Sequence, residues 1–165
     1  MAIFNMIEEN EATGKVKEIY EDIKQKRNIK SVNNFWKMLA NEPETLERTW
    51  NSLKQVMKAG ALDAVTKELI YVAVSMTNSC EYCTKSHTFA AKKKGALDPV
   101  TKELIYVAVS ITNNCDYCIR SHTAAAKKKG ATDEMIKEMI DVMGIANQNN
   151  KLVEAYGVEV DDIYK

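Results

Sequence analysis

The chain has 165 residues, of which 45% are apolar and 28% charged, the composition of an ordinary globular fold with a sizeable core to bury. Lysine plus arginine and aspartate plus glutamate stand at 23 each, and zero net charge argues against a nucleic-acid binder that works by neutralising phosphates. The longest apolar runs, Leu69–Val74 and Leu104–Val109, reach six residues, against the roughly 18 of a membrane span, so no membrane contact is expected. Met1–Glu9 lacks the basic region of a secretory signal, so a cytoplasmic chain with reduced thiols is expected.

Val16, Ile19, Tyr20 and Ile23 fall at i, i+3, i+4 and i+7 and predict a first helix. Phe35, Trp36 and Leu39 mark a short second one. Leu46, Trp50, Leu53 and Met57 mark a third, opened by Pro43. Gly60 is expected to end it in the left-handed conformation, and Asp63 to cap the next. That next helix, Ala64 to about Thr77, is apolar on nearly every side and therefore reads as buried. The polar stretch Thr77–Asn78–Ser79 breaks it and is expected to cap a helix that begins near Cys80. This helix runs to Lys92–Lys94, read as a solvated end whose cations suit the helix dipole.

Residues 60–94 then recur as 95–129 without a gap. Seven of the 35 aligned positions differ, so 28 are identical. Gly95 and Asp98 repeat the stop and the cap, and Pro99 takes the first helical position, where its missing N–H costs nothing. A fainter echo starts at Gly130. Met135, Ile136, Met139, Ile140 and Met143 mark the helix after the repeats, and Lys151–Tyr156 a further short piece. Val72–Ala73–Val74 is the one β-leaning stretch, and it lies inside helical spacing. The expectation is one all-α domain over 1–165, its methionine and aromatic stripes forming core. A duplication this close is recent or engineered, and removing one copy leaves 130 residues (165 − 35). Two near-identical hairpins compete for one seat. The extra one stacks as another layer, exchanges between subunits or hangs partly free.

The repeated unit carries the chemistry: Glu68, Cys80, Cys83 and His87, then Glu103, Cys115, Cys118 and His122. On a helix, Cys80, Cys83 and His87 lie at i, i+3 and i+7 and share one face. Cys80 sits near the helix N-terminus, where the dipole favours a thiolate; Cys83 is one turn from the imidazole. Glu68 either lies solvated at a rim beside Lys67 or faces inward as a proton carrier. Tyr82 and Tyr117 read as core rather than site walls. Three readings of the Cys-x-x-Cys-x-x-x-His unit stay open. One is a zinc site, although 31 residues separate Cys83 from Cys115 where paired-cysteine sites use about 15–20. The second, which the residue types favour, is a dithiol that is oxidised and resolves as a disulfide. The third is inert buried cysteines.

The string Glu68 … Ala73–Val74–Ser75 … Asn78–Ser79–Cys80–Glu81–Tyr82–Cys83 … His87, with its copy from Glu103 to His122, resembles the AhpD-like alkylhydroperoxidases of the carboxymuconolactone decarboxylase superfamily. The tail Ala146–Asn149 … Ala155–Tyr156–Gly157 and the opening Ala12–Val16 … Ile19–Tyr20 are similar to the family's ends. The resemblance implies an AhpD-like helical bundle with a duplicated hairpin, assembled as a trimer or hexamer. It implies a peroxidase that carries a redox-active disulfide instead of a bound cofactor or metal. Cys83 and Cys118 would be oxidised by a hydroperoxide, and Cys80 and Cys115 would close the disulfide. Glu68, His87, Glu103 and His122 would relay protons. The reductant would be a dithiol donor such as a lipoyl group or lipoyl protein. The rival readings are a metal-binding or structural helical oligomer, or an engineered repeat-insertion scaffold, without redox turnover.

Overall fold

The structure, a computed structural model, describes residues 4–91 and 98–164. The expectations for Lys92–Lys94 and Gly95 lie outside the described residues. Within them are eight α-helices and no strand: α1 (Gly14–Arg27), α2 (Asn34–Leu39), α3 (Pro43–Met57), α4 (Ala64–Thr77), α5 (Glu81–Ala91), α6 (Pro99–Thr112), α7 (Asp116–Lys128) and α8 (Asp133–Tyr156). A 3₁₀ turn, Asp162–Tyr164, closes the chain. The all-α expectation holds.

The all-round apolar helix α4 is central, packed by α5, α6 and α8, with Ile70, Tyr71 and Val74 buried. Its start is fixed as the sequence predicts: Asp63 accepts from the backbone N–H groups of Val65 and Thr66. Asp98 does the same for Val100 and Thr101, with Pro99 in the first turn of α6. The hydroxyls of Thr66 and Thr101, equivalent residues of the two repeats, meet at 3.0 Å where α4 crosses α6.

Three local expectations change. Gly60 is not left-handed; that conformation ends α1 at Asn28 and α8 at Gly157. A Cβ at Gly60 would collide with the Glu138 carboxylate, which accepts from the N–H groups of Ala61 (2.7 Å) and Leu62 (2.9 Å). The glycine therefore admits a carboxylate rather than a turn. Second, Thr77–Asn78–Ser79 ends α4 but does not cap the next helix. Ser79 and Asn114 adopt positive φ (54° and 55°) at the two hairpin bends. In the second hairpin the cap is Cys115 itself, whose sulfur accepts from the Cys118 N–H. Third, the expected pieces after the repeats are one 24-residue helix, α8. Gly144 weakens its interior by about 1 kcal/mol relative to alanine without stopping it, and its asparagines bond other helices rather than ending their own.

The repeats have very different surroundings. α4 and α5 pack inside, against α8, while α6 lies over α4 and α8 with α7 outermost. Along α7 only Ala126 is buried. The extra hairpin stacks as a further layer. Tyr82 is 6% exposed and its copy Tyr117 81%; Tyr71 is 1% exposed and its copy Tyr106 57%. Tyr117 and Tyr106 thus depart from the core expectation, because among the described residues nothing like α8 or α2 covers the outer layer; Met76, near the end of α4, is exposed as well.

Candidate active site

The first repeat assembles its four chemical residues. Cys80 and Cys83 are free and buried at the start of α5. One turn further, the Nδ1 of His87 lies 2.6 Å from Oε2 of Glu68, both residues buried. Of the two readings of Glu68, the inward one is observed. Its neighbour Lys67 is not at a rim either. Buried on α4, its Nζ donates to the carbonyls of Val56 and Lys58 (2.9 and 2.8 Å) and pairs with Glu138 at 3.0 Å. The His87 ring stacks on Tyr71, centroids 3.5 Å apart and planes 15° from parallel. Its plane and its Nδ1 are both fixed, which directs Nε2 away from the carboxylate.

The thiols hydrogen-bond to each other and titrate apart. The bond from Cys83 and the N–H groups of Cys83 and Tyr82 outweigh burial at Cys80 and hold its thiol down to about 7. The Cys80 sulfur and burial push the Cys83 thiol up, while the Asn150 amide pulls it the other way. Cys80 is therefore the more acidic of the pair, as the helix N-terminus predicts, although the imidazole lies one turn from Cys83.

Residues outside the motif hold this arrangement. The Tyr82 hydroxyl donates to Asp161 (2.8 Å) and accepts from the Phe35 N–H (3.3 Å), so the residue between the cysteines ties α5 to α2 and to the C-terminal segment. Tyr82 is core, as expected, and burial first, then Asp161, pushes its hydroxyl pKa up. Asn150 donates to Ser75 (3.1 Å) and accepts from Asn78 (2.9 Å), bringing α8 against the hairpin. Tyr71, Asn150 and Asp161 were not legible as site residues. The one signal, and for Asn150 alone, was the run of amides Asn147–Asn150.

A cavity of about 620 Å³ opens between α1, α3, α5 and the C-terminal turn, with Glu68, Ser86 and His87 among its walls. A further space of about 20 Å³ lies against His87 and extends to Cys83, between Tyr71 and Tyr82. Cys80 lines neither. The arrangement suits proton-coupled thiol chemistry: a paired dithiol, an oriented imidazole and a small space against one sulfur, its walls shared in part with the larger cavity.

The second repeat brings its copies together in the open. Cys115 and Cys118 form a disulfide. His122 Nδ1 lies 2.8 Å from Glu103, and its ring stacks on Tyr106 with centroids 4.4 Å apart. Lys129 also reaches Glu103, and with His122 it holds that carboxyl below the usual range. None of the four chemical residues of this copy lines the cavity. Among the described residues, no three His, Cys, Asp or Glu side chains are grouped closely enough to hold a metal ion. No helix among them is long and apolar enough to cross a membrane.

A family model described as the carboxymuconolactone decarboxylase family matches residues 43–96 and 89–158, one match on each repeat. Among solved structures, a peroxidase-related protein with an alkylhydroperoxidase AhpD core from Ralstonia eutropha JMP134 superposes with a TM-score of 0.84 at 18% identity, over 99% of this chain and 94% of its own. A peroxidase-related protein from Silicibacter sp. TM1040 gives a TM-score of 0.76 at 21% identity, over 90% and 85%. The debrominase Bmp8 gives 0.69 at 12% identity, over 90% and 87%. At these identities the likeness is one of fold. An (R)-2-haloacid dehalogenase from Pseudomonas putida is 36% identical over 59 residues, 36% of this chain; the chain spans 20% of that protein's length.

Proposed function

The chain belongs to the carboxymuconolactone decarboxylase family, and we propose that it is a thiol peroxidase whose working site is the first hairpin. The observation that carries this reading is the buried Cys80–Cys83 dithiol beside a His87–Glu68 pair, with Cys83 and His87 on one small space and His87 also on the larger cavity. At rest the pair shares one proton and Cys80 holds the charge. Cys83 is the sulfur that an entering hydroperoxide meets, so the shared proton passes to Cys80 as Cys83 attacks. The Cys83 thiolate takes the distal peroxide oxygen, the O–O bond breaks, Cys83 becomes a sulfenic acid and the alkoxide leaves. Protonated His87, oriented by Glu68, gives the alkoxide its proton and then accepts the one Cys80 carries. Cys80 attacks the Cys83 sulfur, the S–O bond breaks, and the departing hydroxide takes the proton from His87 and leaves as water. Two thiols and ROOH thus become a disulfide, ROH and water. An external dithiol, such as a lipoyl group, returns two electrons and two protons by thiol–disulfide exchange. A cytoplasmic homo-oligomer belongs to the same reading.

Dithiol-dependent consumption of cumene hydroperoxide tests it. His87→Gln is expected to lower turnover by about 10²–10⁴-fold, and Cys83→Ser to abolish it. Full activity in Cys83→Ser would remove the first hairpin as the working site.

A further inference from the structure

The mouth of the cavity carries charges that the thiol chemistry does not use. Lys26 and Arg27, from the last turn of α1, and Lys58, just past the end of α3, line it together with Lys54. Lys54 is matched by Asp22 at 2.6 Å. Among the described residues, Lys26, Arg27 and Lys58 form no ion pair. Among the described residues, the one acid in the lining is Glu68, which His87 already engages. Helix dipoles account for basic residues at both C-termini. They do not account for both termini facing one cavity above a reactive dithiol. Leu53, Met57 and Phe89 supply apolar walls to the same cavity, and Arg27 also lines the small space against His87 and Cys83. At about 620 Å³ the space is of a size to enclose a small organic molecule.

Resting on the peroxidase reading, we infer that the cavity selects organic hydroperoxides that carry a carboxylate on an apolar body. The carboxylate meets Arg27, whose planar fork suits it, with Lys26 and Lys58 adding to the local positive potential. The peroxide end lies inward, toward His87 and Cys83. The reaction keeps its balance: the dithiol supplies both electrons, the O–O bond breaks, and the products are the carboxylate-bearing alcohol, water and the Cys80–Cys83 disulfide.

A matched pair of substrates tests this on the full, reduced chain: cumene hydroperoxide and its para-carboxylate, at neutral pH. The readout is the second-order rate constant for loss of Cys80 and Cys83 thiols in a single turnover. At low ionic strength the carboxylate is expected to react about tenfold faster, the low end of what a charged cleft gives. The ratio should fall toward one at about 0.5 M salt, where screening is strong. It should fall likewise in the double variant Arg27→Gln/Lys58→Gln, with helicity confirmed by circular dichroism. Equal or slower reaction of the carboxylate in the unmodified chain would overturn the inference while leaving the peroxidase reading standing. So would a preference that neither salt nor the double variant reduces. If neither peroxide oxidises the pair, the peroxidase reading falls and this inference with it.

Discussion

Cys80 and Cys83 sit three residues apart on one helix end, yet only one of them is an acid near neutrality. The N–H groups at the start of α5 and the Cys83 thiol lower the Cys80 pKa to about 7, and the same hydrogen bond raises that of Cys83. A lowered pKa makes the thiolate dominant above that value and removes it as pH falls through it. The ultraviolet absorbance of the thiolate, followed in a Cys115→Ser/Cys118→Ser variant so that only this pair titrates, is therefore expected to rise through a midpoint of about 7. A midpoint near the 9.0 of an unperturbed thiol would contradict the geometry. The repeat supplies an internal control for burial. Tyr82→Ala is expected to cost about 3–5 kcal/mol, since it removes a buried ring and its bonds to Asp161 and Phe35. Tyr117→Ala, at the equivalent exposed position, should stay within about 0.5 kcal/mol. Urea unfolding of the two variants measures both.

At the scale of elements, the sequence made most of the helices legible, because their signals are local. Val16–Ile23 and Leu46–Met57 show their spacing, Asp63 and Asp98 cap where an aspartate before an apolar run should, and Pro99 opens α6. What stayed hidden depends on contacts between elements. Gly60 makes room for Glu138, a residue 78 positions later. The sequence suggests a separate piece from Lys151, yet α8 runs on through Asn147 and Asn150, which bond Asn78 and Ser75 of the first hairpin. Lys67 and Lys102 are the same residue of the same repeat. One is buried and holds the carbonyls of Val56 and Lys58; the other is exposed. Lys67→Met is expected to lower stability by about 1–3 kcal/mol, because two carbonyls and the Glu138 carboxylate lose a partner. Lys102→Met should be neutral within about 0.5 kcal/mol. Equal effects in thermal melts would mean that the two hairpins exchange places.

For the whole molecule, duplication separates what a motif contains from where it is put. The chemical residues were legible in both copies, and Glu68–His87 and Glu103–His122 pair alike, at 2.6 and 2.8 Å. No local signal could say which copy would be enclosed, since most of the two repeats is identical. Enclosure is decided by α8, α2 and the C-terminal segment, which cover the first copy; α7 remains outermost. The enclosed dithiol, Cys80–Cys83, is the one that, we propose, hydroperoxide oxidises. The most direct measurement is peptide-mapped mass spectrometry of the fully reduced chain after one equivalent of cumene hydroperoxide. Loss of two hydrogens is expected in the peptides bearing Cys80 and Cys83, ahead of any change at Cys115 and Cys118. Oxidation of Cys115–Cys118 first, with Cys80 and Cys83 still reduced, would contradict it.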